Sequence, residues 1–368
     1  MMQGNIGIAL SGGGIRAMVF HLGLFHWLAE NGLFEQIRRI SSVSGASLCV
    51  GMIYAHNNLK WPASEEFLAT TMPSIKNALQ HDLQSAALTR LIASPRYWNK
   101  KPNIIAKTLE SRWGVHGSLS QLAGNAIWYV NCTTYETGKR FRFSKESMGD
   151  YAIGYVENPD IPLSEVMAAS AGFPILIGPY SLKTGNYNWT PSWYSKADWH
   201  PPDTPQLHLW DGGVYDNFGL ESVYKMDDGG SLSDGVDFLI ISSASVSIGQ
   251  LTRKKGMSAR NLVRILEISM DQVAALRSRN VMDFIKRTGK GMYVKIGNSA
   301  EKIALESNCS NELTAQLVNQ CLSTEQAIQA MSFPTTLKKP NESDCQILLR
   351  HGYEVADCTY RCYKKTGG

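Results

Sequence analysis

The chain has 368 residues, 43% of them apolar and only 18% charged, and 36 Lys and Arg against 32 Asp and Glu leave a net charge of +4. That composition excludes a disordered chain or a strongly basic nucleic-acid tail as its main theme, and the length accommodates one large domain or two ordinary ones. No basic stretch precedes the first apolar run, and no window reaches the roughly 18 apolar residues that span a bilayer, so neither a signal peptide nor a membrane anchor is expected.

Residues 5–10 read as a core strand running into Ser11-Gly12-Gly13-Gly14. Residues 16–30 place Ala17, Phe20, Leu24 and Leu28 at helical spacing, and Asn31-Gly32 stops them. Residues 37–43 read as a second strand, after which Ser44-Gly45-Ala46-Ser47 turns sharply into an apolar helix. Strand, glycine turn, helix, strand, tight turn and helix imply buried parallel strands with crossover helices. Residues 62–120 read as irregular helix, 125–134 as a strand leading into a hairpin-like turn at Glu136-Thr137-Gly138-Lys139, and 161–170 as a short helix with Pro162 in its first turn. Residues 181–208 read as an irregular aromatic insertion and 236–242 as a strand. A long amphipathic helix is expected over 259–287, with Val273, Leu276, Val281, Phe284 and Ile285 inward, then a strand over 293–296 and helices to the end. No internal repeat is visible. Seven scattered cysteines fit a reducing compartment; Cys358 and Cys362 are four apart but lack further ligands, so they read as ordinary thiols rather than a zinc site.

Three stretches carry chemistry. Ser42-Val43-Ser44-Gly45-Ala46 lies between a strand and a helix, the setting in which a tight turn lifts a nucleophilic hydroxyl above a sheet. Gly45 exposes an amide, and the helix N-terminus behind it favours negative charge. Ser44 also reads as a helix cap, and Ser47 is a rival nucleophile less exposed on its helix. The run Gly12-Gly13-Gly14-Ile15-Arg16 presents successive N–H groups to an anion. It lacks the spacing of a dinucleotide loop or a P-loop, leaving an oxyanion loop or tight strand–helix packing, with Arg16 steadying the loop or meeting a phosphate. An activated serine needs a base. None of the eight histidines stands at a strand end beside glycines, although His208 is three residues from Asp211 in Trp210-Asp211-Gly212-Gly213. Asp211 reads as that base or, in isolation, as a surface-turn aspartate. Metal binding by Asp211 and Asp216 lacks a third ligand.

Together these stretches resemble the patatin-like phospholipases, in particular bacterial members. Gly12-Gly13-Gly14-Ile15-Arg16 is similar to the family's oxyanion motif, Ser44 falls on its nucleophile and Asp211 on its general base. Asn217 matches a residue usual just downstream, and Ala169-Ser170-Ala171-Gly172-Phe173-Pro174 matches a small-residue helix end. The four matches run in the family's order over residues 6–219; Pro334-Thr335 and His351-Gly352-Tyr353 are similar to the tail of some bacterial members. Ser42, Ala46 and Gly219 depart from the commonest pattern and leave the subfamily open.

The resemblance implies a three-layer α/β/α core with a mainly parallel central sheet, in the style of the α/β-hydrolases. A catalytic domain over 5–250 and a mostly helical C-terminal extension over 251–368 are expected. It implies a lipid acyl hydrolase, a phospholipase or lysophospholipase, with Ser44 as nucleophile and Asp211 as general base and acid. Amides of Gly12, Gly13, Gly14 and Gly45 would form the oxyanion hole, with Arg16, Gly212, Gly213 and Asn217 in support. Neither cofactor nor metal is required, the substrates are lipid acyl esters, and nucleic acid is not a partner. The location expected is cytoplasmic, with transient contact to a membrane surface. Tyr187, Trp189, Trp193, Tyr194 and Trp199, and the basic–aromatic Arg96-Tyr97-Trp98-Asn99-Lys100-Lys101, are candidates for that contact or for ordinary loop packing; Arg253-Lys254-Lys255 reads as a solvated face. A broader carboxylesterase, an acyltransferase and a catalytically idle scaffold are the competing readings.

Overall fold

A computed structural model describes residues 4–93, 101–172, 178–192, 199–227, 229–246 and 259–364. Phe173 and Pro174, Trp193 and Tyr194, residues 96–100 and the Arg253-Lys254-Lys255 run lie outside the described residues. The strands are β1 (Ile6–Leu10), β2 (Ile37–Val43), β3 (Ile127–Thr134), β4 (Arg140–Phe143), β5 (Ser147–Asp150), β6 (Gly154–Glu157), β7 (Tyr180–Lys183), β8 (Gln206–Asp211), β9 (Tyr224–Lys225), β10 (Ser231–Leu232), β11 (Phe238–Ser243) and β12 (Gly291–Lys295). The helices are α1 (Gly14–Glu30), α2 (Gly45–Ala55), α3 (Ser64–Glu66), α4 (Met72–Ala78), α5 (Leu83–Ala93), α6 (Lys101–Trp113), α7 (Leu163–Ser170), α8 (Gly213–Asp216) and α9 (Ala259–Thr288), followed by α10 (Ala300–Glu306), α11 (Asn311–Gln320), α12 (Thr324–Ser332) and α13 (Glu342–Lys364).

The central sheet is mixed rather than mainly parallel. β12, β11, β1, β2 and β3 run parallel in that spatial order, and the sheet continues antiparallel through β4, β5 and β6, with β8 on β3 and β7 on β8. The difference lies in the connections. Parallel neighbours need a crossover, which α1 and α2 supply early in the chain, whereas β3 to β6 follow one another through short turns that permit only antiparallel pairing. The insertion expected to be irregular contains β7 and the start of β8.

Alternation along the strands separates two hydrophobic clusters. Ile6, Ile8 and Leu10 of β1 join the large cluster with α1 and α2, while Ala9 joins a smaller one with Val281, Phe284 and Ile285 of α9. Successive strand side chains point to opposite faces, so the sheet is covered on both and the core has three layers. On α9 the inward stripe is narrower than expected: Leu276 is 61% exposed.

Helix α1 is buried along nearly its whole length, which suits an apolar helix lying between the sheet and a further layer. That layer is α13. The two helices run in the same direction, since Phe20 lies at Gly352 and Trp27 at Asp357 and Tyr360. Their crossing is backbone against backbone: a Cβ on Gly352 would lie 1.9 Å from the Phe20 carbonyl oxygen, and one on Gly23 would lie 2.0 Å from that of Leu349. The C-terminal region is thus mostly helical but also supplies β12 to the sheet. Cys358 of α13 lies 3.5 Å from Cys321 at the end of α11, sulfur to sulfur, and Cys362 lies near Cys309. Among the described residues no three His, Cys, Asp or Glu side chains are grouped to hold a metal, and no helix is long and apolar enough to cross a membrane.

Candidate active site

Strand pairing brings the two key residues together. β3 pairs with β2 up to Val43 opposite Asn131, and with β8 from Asp211 opposite Cys132. β4 pairs with Val130 to Thr133 and so overlaps both stretches. One strand edge cannot serve two partners at once, so β4 occupies one edge of β3 while β2 and β8 meet end to end on the other. Ser44, the residue after β2, and Asp211, the last of β8, are neighbours as a consequence of this register.

Ser44 has φ +54° and ψ −122°, a sparsely populated conformation for a non-glycine residue and the one a nucleophile elbow demands. Its side chain makes no capping bond to α2, so the capping reading falls. Its N–H donates to Ser170 Oγ at 2.9 Å, and Ser170 Oγ donates to the Asn131 carbonyl at 2.8 Å. A hydroxyl carries one proton, which fixes the directions in the remaining chain. Ser47 must donate to Ser170 and therefore accept from Ser42, which in turn accepts from the Trp128 indole N–H at 2.8 Å. Ser47 is fully buried within this relay and is no rival nucleophile.

The Asp211 carboxylate is 2% exposed, lies beside the Ser44 side chain, and accepts the Gly213 N–H at 2.7 Å. Burial pushes its pKa up to about 6, against the opposing pull of the Ser44 hydroxyl and the Gly213 N–H. His208 is instead paired with Glu136 at 2.7 Å, and buried His21 is held between Ser242 and the Ser11 carbonyl, its pKa lowered by burial to about 4. Asp216 accepts the N–H groups of Phe218 and Leu220 and faces Arg277, so it serves the local backbone.

The glycine loop and the elbow touch through their backbones. A Cβ on Gly45 would lie 2.0 Å from the Gly14 carbonyl oxygen, so Gly45 has no room for a side chain; Gly14, at φ +63°, is closed to one by the Thr336 backbone instead. Gly12 donates its N–H to the backbone and side-chain oxygens of Asn217, at 3.2 Å each, so its amide is engaged within the protein. Among the described residues no acceptor is bonded to the amides of Gly13, Gly14 or Gly45. Asn217 also donates to Ser245 Oγ at 2.7 Å, and Gly212 packs on the Asn131 carbonyl. Arg16 donates to the carbonyls of Ala244 and Phe333; burial lowers its pKa to about 10, so it remains cationic at neutral pH.

These groups open into a cavity of about 780 Å³ that Ser44, Asp211 and the three glycines line together with Ala87, Leu88, Ile104, Ile105, Met270 and Ala274. Of the aromatics expected to dock on membranes, Tyr187 and Trp189 pack against the core, and the indoles of Trp189 and Trp199 donate to the carbonyls of Thr184 and Ile153. They belong to the packing of the β5–β7 region. Sequence reasoning missed the part taken by Ser170 and by Thr336, whose contacts with the site come from distant positions; the only local signal was the small-residue run around Ser170.

A profile of the patatin family, described as patatin-like phospholipase, matches residues 8–224. No curated protein sequence matches the chain. Among solved structures, human GIVD cytosolic phospholipase A2 is similar with a TM-score of 0.52 and 13% identity over 98% of this chain and 60% of that one. The same enzyme in complex with methyl gamma-linolenyl fluorophosphonate gives 0.46 and 14%, over 98% and 59%. VipD from Legionella pneumophila gives 0.40 and 11%, over 99% and 67%. The chain spans about 60% of the length of the human enzyme, and at these identities the likeness concerns the fold.

Proposed function

The chain belongs to the patatin-like phospholipase family, and from that premise we propose that it hydrolyses acyl esters of phospholipids or lysophospholipids through a Ser44–Asp211 dyad. The observation that carries this reading is a buried carboxylate brought beside the elbow serine where β2 and β8 meet on β3, with its pKa near 6, facing a largely apolar cavity. At neutral pH Asp211 is ionised yet more basic than an ordinary carboxylate, as a general base should be.

In the proposed reaction Ser44 Oγ attacks the ester carbonyl and passes its proton to Asp211. The amides of Gly13, Gly14 and Gly45 receive the oxyanion, an interaction for which a single donor is worth about 10²–10³ in rate; Gly12, with its amide engaged by Asn217, shapes the loop. Asp211 then returns the proton to the departing alcohol, leaving an acyl-Ser44 ester. Water, deprotonated by the same carboxylate, releases the fatty acid. The apolar cavity accommodates the acyl chain, delivered from a membrane surface that the protein touches peripherally.

Fatty-acid release from phospholipids, lysophospholipids and neutral esters, for wild type, S44A and D211N, tests this. Both variants should lose at least about 10³-fold in turnover, with lipids among the substrates cleaved. Wild-type turnover in both variants would sink the dyad, and cleavage confined to short soluble esters would sink the lipid assignment. Transfer of the acyl group to an added alcohol in preference to water would replace the hydrolase reading with an acyltransferase.

A further inference from the structure

The segment between α12 and α13 reaches back to the glycine loop from outside the stretch that matches the family profile. Ile15 N–H donates to the Thr336 carbonyl at 2.8 Å, and the Thr336 peptide lies against Gly14 so closely that a Cβ there would sit 2.5 Å from the same oxygen. Arg16, one residue further, is 5% exposed and donates Nε to the Ala244 carbonyl at 3.1 Å and Nη1 to the Phe333 carbonyl at 2.5 Å. Among the described residues no carboxylate pairs with it. Its charge is met by two carbonyls, one after β11 and one in the 333–337 segment, so the guanidinium ties both to the first turn of α1. The far side of the segment is anchored independently: Thr336 Oγ1 donates to Gln84, Lys339 N donates to Asp82 and Lys339 Nζ to Gln80. Thr335, Thr336 and Leu337 form part of the cavity wall.

We infer that residues 333–337 form a strap which, clamped by Arg16, holds the amides of Gly13 and Gly14 aimed at the reacting carbonyl, so that Arg16 is a positioning residue for the oxyanion rather than a ligand of the substrate's phosphate. This rests on the proposed Ser44–Asp211 reaction. With Nε and Nη1 held by backbone carbonyls, only Nη2, beside Gly13, is left to face the cavity; that leaves a single nitrogen rather than a two-nitrogen fork for a phosphate, whereas a planar fork spanning two loops fixes their separation. Oxyanion stabilisation depends on donors that do not reorganise, and a displacement of about 1 Å costs on the order of 10²-fold in rate.

The test compares Arg16→Ala, Arg16→Lys, Phe333→Ala and the Arg16→Ala/Phe333→Ala double variant, with S44A as control, on a neutral p-nitrophenyl ester and on phosphatidylcholine vesicles. Melting temperature and pH–rate profiles are recorded in parallel. Arg16→Ala and Phe333→Ala should lower kcat by about 10- to 100-fold on both substrates, with KM within about threefold. Arg16→Lys should recover part of the loss, and the acidic limb of the profile should keep its inflection near pH 6. Phe333→Ala keeps the carbonyl that Arg16 grips and loosens the segment by removing its side-chain packing on the core; because both changes free the same segment, the double variant should be little worse than the worse single one.

A loss confined to phosphatidylcholine would assign Arg16 to the head group and overturn the inference. So would a loss seen only as raised KM, or one accounted for wholly by unfolding at the assay temperature. Where Arg16→Ala does not fold, Arg16→Lys and Phe333→Ala decide. Unchanged kcat in these variants with an inactive S44A removes the strap alone; an active S44A removes the underlying reaction as well.

Discussion

In the proposed reaction, Asp211 is where stability and chemistry oppose each other. Its pKa of about 6 in the folded protein lies above the 3.8 of a solvated aspartate. The folded state therefore binds a proton between about pH 4 and 6 that the unfolded state does not. Stability from this group is fully present below pH 4 and is lost as pH rises through 6, where the buried carboxylate must ionise. The two units correspond to about 3 kcal/mol. D211N should accordingly raise the melting temperature at pH 8, with the gain shrinking to nothing by about pH 4, while abolishing activity. Thermal unfolding across that range checks it, and a D211N protein that melts lower than wild type at pH 8 would contradict it. Wild-type turnover should fall as pH drops below about 6. Ser44 and Asp211 were both legible in the sequence, because each stands at a strand end before glycine, where the backbone turns at once. The hydroxyl relay was not: Ser170 reaches Ser44 from 126 residues away, and nothing in its local spacing announces the contact.

Among the elements, the α1–α13 pair has the tightest demand. Its two glycines let the helices approach until carbonyls touch where Cβ atoms would stand. Gly352→Ala must push α13 outward or bend it, and an overpacked contact of this kind costs about 1–3 kcal/mol. The expected result is a lower urea midpoint with an unchanged slope; an unchanged midpoint would mean the crossing is looser than described. The elements also show how far periodicity carries. Residues 37–43 fold as the strand expected despite Arg38 and Arg39, since the strand lies between β1 and β3 and the turn at Ser44 ends it. Leu276 was placed inward, yet it precedes Val281 by five residues, about 140° around the helix, so it falls off the stripe that Val281, Phe284 and Ile285 define. β5, β6 and β7 have four residues each, too few for an alternating pattern to stand out, and the parallel signal of the first two crossovers was extended to a sheet whose second half is a meander.

For the molecule as a whole, the family profile ends at residue 224, but the structure that supports the site does not. β11 and β12 complete the parallel half of the sheet, α9 closes its second face, and α13 covers the outer side of α1. A chain ending at residue 290 would lack β12 and α13 and would expose Phe20, Trp27 and the rest of that surface of α1. It is expected to be insoluble or to unfold without a cooperative transition, as soluble yield and thermal melting will show; cooperative folding with wild-type turnover would prove the C-terminal region dispensable. A C-terminal extension packed on the core is what the sequence leads one to expect after residue 250, but motifs reveal chemistry more readily than they reveal which later segments cover a helix.

The end-to-end meeting of β2 and β8 on one edge of β3 also imposes an order in time. Ser44 and Asp211 are 167 positions apart in the chain, and each of the two strands takes its ladder pairing from β3 at this junction. A growing polypeptide carries its serine long before the carboxylate proposed to activate it has been synthesised, and contacts of such separation slow folding because a long loop must close first. On the proposed dyad the nascent chain is therefore inert, and any acyl hydrolysis is withheld from nearby lipid until the sheet has been assembled around both residues.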